Sequence, residues 1–152
     1  MEGGSQMSDQ IQLAVGAKPW LPSHDAEIVE EYAHYDMPLS GVVSQSGCFY
    51  LFECIEGPVE AVNIWIYAPL LEREEDDLSR LSGDSLSKAM DEVWRSRDVV
   101  IALAVEDKIF TGTTISSYDI NSLGIRTAVF KETRSLLERE RLITGALESV
   151  TD

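Results

Sequence analysis

The chain has 152 residues, 44% hydrophobic and 26% charged, which is the balance of a folded chain rather than a disordered one. Its 27 acidic residues against 12 basic ones give a net charge of −15, which works against direct contact with nucleic acid phosphates and with anionic membranes. No apolar run approaches the ~20 residues of a membrane span, and the N-terminus has neither the basic nor the apolar region of a secretory signal.

The acidity is uneven. Residues 1–76 hold 14 acidic and two basic residues, whereas residues 77–152 hold 13 and 10. Between Pro19 and Glu72 there are nine carboxylates and no Lys or Arg. A field of this sign draws basic proteins and other cations. Asp25, Glu27, Glu30, Glu31 and Asp36 are its densest cluster, and they are the candidate partner-binding residues.

Residues 1–8 read as an expression-vector remnant or a disordered leader, with Met7 as a native start. Residues 9–150 are then expected to form one domain around one core. Lys18-Pro19-Trp20-Leu21-Pro22 reads as an extended arm, because its two prolines fix φ and lack donors; Trp20 and Leu21 would anchor it. Residues 25–35 fit either a helix capped by Ser23 or a strand, and Pro38 ends the element in both cases.

The stretch 41–70 carries the strongest strand signal. After a first strand at residues 39–45, two aromatic-rich runs at 48–55 and 61–68 flank the turn residues Glu56-Gly57-Pro58. Cys48, Tyr50, Phe52 and Cys54 alternate onto one face; Phe49, Leu51, Glu53 and Ile55 alternate onto the other. Both faces are mostly apolar, so the sheet needs cover on both sides, from helices, from the arm or from a second subunit. The two cysteines lie roughly 20 Å apart along such a strand, beyond the ~7 Å reach of a disulfide, which implies thiols and a reducing, cytoplasmic setting.

Beyond Pro69 the period changes. Residues 72–77 form an acidic helix start, favoured by the macrodipole, and Ser82-Gly83 breaks it. Leu86, Met90, Val93 and Trp94 then make the apolar stripe of a second helix. Residues 99–105 are an uninterrupted apolar run, expected to be a central buried strand, and Glu106-Asp107 turns it into a strand at 108–115. Residues 116–124 read as a polar loop, 125–130 as a last strand, and 133–147 as a C-terminal helix carrying Leu136, Leu137, Ile143 and Leu147.

Motifs for chemistry are sparse. There is no HExxH, CxxC or calcium-binding loop, no Walker loop and no dinucleotide fingerprint, so neither metal nor cofactor is expected. A thiol–imidazole pair would need His34 to meet Cys48 or Cys54 in space. A small-ligand face is conceivable where Tyr50, Trp65 and Tyr67 supply aromatic surface and Arg126 and Arg134 supply charge for an anion such as a nucleotide phosphate.

The segment EYAHYDMPL, the aromatic strand after it, a strand ending IYAPL and the acidic helix with its Leu-Ser-Gly break resemble a group of small uncharacterised bacterial or phage domains that open with a Tyr-Asp-x-Pro motif. The resemblance covers roughly residues 31–86, with Met37 between the Asp and the Pro. It implies an intracellular bacterial or phage origin and carries no activity.

The expected architecture is α+β: a mainly antiparallel sheet of about five strands, a helical hairpin inserted between strands, and a C-terminal helix. The expected function is that of a non-enzymatic acidic interaction protein, of the inhibitor or immunity type or a nucleic-acid mimic, with a basic protein as partner. The alternatives are a small-ligand module of a regulatory or defence system and, less favoured, an enzyme of unrecognised type. A homodimer is compatible with all three.

Overall fold

The computed structural model describes residues 10–55 and 62–151, side chains included up to residue 140. The expectations for residues 1–8, for the turn at Glu56-Gly57-Pro58 and for the Ile143 and Leu147 side chains lie outside the described residues.

Six strands form one antiparallel sheet in simple meander order, β1 (Glu27–His34), β2 (Pro38–Gln45), β3 (Cys48–Ile55), β4 (Val62–Leu70), β5 (Val99–Val105) and β6 (Lys108–Ile115). Helices α1 (Glu72–Leu78) and α2 (Gly83–Arg95) connect β4 to β5, and α3 (Ser117–Leu123) and α4 (Ile125–Thr151) follow β6. The fold is therefore α+β, as the residue pattern implies, with six strands in place of about five.

The sheet is apolar on both faces. On one face Val42, Leu51, Ile64, Ile66, Ile101 and Leu103 meet the helices through Leu78, Val93, Trp94, Ile120, Val129 and Leu136. On the other, Val43, Tyr50, Phe52, Trp65, Tyr67 and Ala102 meet the N-terminal arm through Ile11, Trp20 and Ala26. β5 shows the consequence most plainly. Its residues from Val99 to Ala104 are buried, and it pairs on both sides, with β4 and with β6.

The arm is held by polar groups that the sheet would otherwise leave unsatisfied. The buried Gln45 amide accepts from Gln12 N at 2.8 Å and donates to Gln12 O at 2.9 Å and Ser23 Oγ at 2.8 Å. Tyr67 Oη donates to Pro19 O at 2.7 Å, and the Trp20 and Trp65 rings lie 5.8 Å apart. Gly16 N and Ala17 O bond Ile109 on the outer side of β6. On the helix side, the Arg97 guanidinium makes a two-pronged contact with Glu74 at 2.9 and 3.0 Å and also donates to Pro69 O at 2.8 Å. That contact fixes α1 against the end of β4.

Two segments differ from the sequence expectation. Residues 116–124 are not a polar loop: Ser116 accepts from Asp119 N at 3.2 Å, which caps α3, and Ile120 buries its single apolar anchor. Residues 125–130 are not a strand. Gly124, at φ 87°, ends α3, and Ala128, Val129, Thr133 and Leu136 recur at helical spacing as the buried side of α4. The open choice at residues 25–35 resolves as strand β1.

β1 is irregular. Its pairing with β2 shifts around Val29, around Tyr32 and near Pro38. Gly41 lies under this irregular strand, and a Cβ there would collide with the Glu30 backbone carbonyl oxygen. Gly41→Ala should therefore destabilise the fold by about 1–3 kcal/mol, the usual range for overpacking. Urea denaturation checks this, and an unchanged midpoint would mean that β1 does not press on β2 as described.

Candidate functional site

The acidic surface is built by two stretches far apart in sequence. The shift at Val29 breaks the alternation of β1, so that Ile28 lies opposite Val43 on the arm side and Glu30 opposite Val42 on the helix side. Glu30 is thereby turned towards α1, whose Glu72, Glu75 and Asp76 follow the end of β4. Burial, Glu30, Asp76 and Glu72 together hold the Glu75 carboxyl above its ordinary range. Tyr32 reads the same field: burial, Glu30 and Glu75 push its phenol up to about 12.

Arg73 lies among these carboxylates, beside Glu72, Glu75 and Asp76, and offsets part of their charge. Glu74 is neutralised by Arg97, which with the Leu71 N–H bond holds its carboxyl below the usual range despite partial burial. Asp76 pairs with Arg80 at 2.8 Å, and Glu31 pairs with His34; both pairs are largely exposed. Glu27, Glu72 and Glu75 have no ion pair among the described residues.

The other expected acidic residues are placed differently. Asp25 accepts from Ser23 Oγ at 2.6 Å and Ser46 Oγ at 2.9 Å, bonds that lower its pKa and tie the arm to the β2–β3 turn. Asp36 occupies the β1–β2 turn at φ 64°, a left-handed position that Asp tolerates better than most residues. The two lie beyond opposite ends of β1, so the five acidic candidates do not form one cluster. Glu27 and Glu30 lie on the helix side of β1, Glu31 opposite Gly41 on the arm side.

The proposed ligand face does not assemble. Tyr50, Trp65 and Tyr67 are 2%, 1% and 0% exposed, sealed beneath the arm. Arg126 and Arg134 belong to α4, which packs on the opposite face of the sheet. A six-stranded sheet separates the aromatic groups from the guanidinium groups.

A different site, missed from sequence, lies on the helix face. Glu53 is half-buried at the floor of a cleft of about 250 Å³ bounded by β3, β4, α2 and the start of α4. Trp94 Nε1 donates to Glu53 Oε1 at 3.2 Å. Burial raises the Glu53 pKa, and the Trp94 bond and the Arg126 charge partly oppose that rise. The signal was present: Glu53 is the one carboxylate in a strand whose two faces are otherwise apolar or aromatic. Among the described residues no group of three or more His, Cys, Asp and Glu is arranged to hold a metal ion, and Cys48 and Cys54 are not bridged. Nor is any helix of the described residues long and apolar enough to cross a membrane.

Glu53 makes stability pH-dependent. A carboxyl whose pKa is raised by folding binds its proton more tightly in the native state. Its contribution is most favourable below the unfolded value of 4.5 and is lost as pH rises through the raised native value. Glu53→Gln keeps an oxygen for Trp94 and never ionises, so its melting temperature should gain on wild type between about pH 4 and about pH 7. A difference that does not change with pH would contradict this origin of the shift.

No family model matches the chain, and neither a curated protein nor a solved structure is similar to it.

Proposed function

We propose that this protein is a non-enzymatic acidic interaction protein that docks a basic protein partner on the patch shared by β1 and α1. The carrying observation is the convergence of Glu30 with Glu72, Glu75 and Asp76, from two acidic stretches some forty residues apart, into one field that, after burial, holds the Glu75 carboxyl above its ordinary range. Like charges held together in the free protein repel, and a cationic surface relieves that repulsion on docking. The partner is a basic protein, and the acidic chain acts on it as an inhibitor, an immunity-type protein or a mimic of nucleic acid.

The edge position of β1 supports side-chain docking rather than strand addition. β1 pairs with β2 alone, so its outer edge faces solvent among the described residues. Its shifted register and its carboxylates are the features that keep an exposed edge from templating another strand. Contact with a partner then runs through charge, assisted by the exposed side chains of Ile28, Val29 and Tyr35.

The test is association of an oligolysine peptide, standing in for a basic partner surface, at two salt concentrations. Glu30→Lys with Glu75→Lys should slow association at low salt by about tenfold, with the difference shrinking as salt screens the field. Glu92→Lys with Glu138→Lys changes net charge equally but lies on exposed positions of α2 and α4, and should slow it far less. Equal slowing by both pairs would show that total charge, not the patch, draws the peptide.

A further inference from the structure

We propose that the cleft floored by Glu53 binds a small primary amine, with the ammonium group on the Glu53 carboxylate and the hydrocarbon body against Ile55, Ile66 and Met90. This site uses none of the carboxylates of the β1–α1 patch, so it stands apart from the partner-docking reading.

The chemistry of the lining selects the ligand. The described residues give Glu53 one hydrogen bond, from Trp94 Nε1 to Oε1, which leaves Oε2 to the cleft. That bond also fixes the carboxylate, because Trp94 is itself 4% exposed and packed in the core. A half-buried carboxylate has already given up part of its hydration, so an arriving ammonium group meets an acceptor that water solvates poorly. The walls beyond it are Ile55, Ile66, Met90 and Ile125, which suit methylene groups rather than a second polar group.

Size and charge narrow the class further. A cleft of about 250 Å³ has room for several waters, and so for a short alkyl or aryl amine. Asp91 and Arg126 stand at the rim with opposite charges. Asp91 is already paired with Arg95 at 3.2 Å, so Glu53 is the carboxylate left to receive the ligand, and the Arg126 guanidinium, which acts on Glu53, limits that ligand to a single positive charge.

The experiment uses the full chain and three isosteric probes: n-butylammonium, n-butanol and butyrate. The readout is the Trp94 indole N–H signal by NMR, assigned by its loss in Trp94→Phe. Butylammonium should move that signal saturably, butanol should bind at least about tenfold more weakly, and Glu53→Gln should weaken butylammonium by a similar factor, as expected for losing a charged hydrogen bond. Equal affinity for butanol, a preference for butyrate, an unaffected Glu53→Gln variant or no saturable movement at the solubility limit of the amine would each overturn the proposal. The comparison of probes on wild type decides the matter even if Glu53→Gln folds poorly.

Discussion

A sheet that is apolar on both faces must be covered twice, and most of this structure follows from that requirement. Burying each Ile, Val or Phe of the inner strands is worth about 1.5–3 kcal/mol, so neither face can be left to water. The helices cover one side. The other depends on an arm with no regular structure of its own, whose backbone groups must therefore be satisfied by the sheet. Gln45 does this at one point, pairing with both backbone groups of Gln12, and Tyr67 does it at another through Pro19 O. Ile109 supplies a third, its outward C=O accepting from Gly16 N–H and its N–H donating to Ala17 O. An aromatic surface that looks suited to a ligand is thus consumed in holding the chain's own N-terminal segment.

Covering both faces leaves the edges and the helix junctions as the places where chemistry can sit. β6 has part of its outer edge occupied by the arm. Among the described residues β1 keeps its outer edge open, and its irregular register turns Glu30 towards α1. The acidic patch arises because that shift brings carboxylates of the strand to those of a helix start. The macrodipole accounts for acidic residues on α1 taken alone; their alignment with β1 concentrates them further, and Tyr32 and Glu75 both register it. The Glu53 cleft has the same kind of origin. It opens where α2 and α4 diverge above β3 and β4, and among the described residues the carboxylate placed there takes one hydrogen bond, from an indole N–H, with the Arg126 charge nearby.

Local pattern carried most of the fold in the sequence. The alternation in residues 48–55, the apolar run of 99–105 and the Leu86–Met90–Val93–Trp94 stripe each matched the period of the element they form. The pattern misled where β-branched residues sit on a helix: Ile125, Thr127 and Val129 look like a strand, yet burial follows Ala128, Val129, Thr133 and Leu136. Residues 25–35 were ambiguous because β1, exposed on most of its length, lacks the apolar alternation of a half-buried strand. The sites were less legible than the elements. Glu53 could be picked out as an anomaly within its strand, but its indole partner is 41 residues away. The pairing of Glu30 with Glu75 depends on a register shift that no local pattern announces, and the separation of Tyr50 from Arg126 depends on which face each helix covers.

The account turns on Glu30 and Glu75 sharing one electrostatic field. Carboxyl carbon NMR titration of Glu75, in wild type and in Glu30→Gln, measures this directly. In wild type Glu75 should titrate above its ordinary value of 4.5, through burial first and Glu30 next, and neutralising Glu30 should move the midpoint down. The same Glu75 midpoint in both proteins would mean that β1 and α1 do not form a common acidic surface.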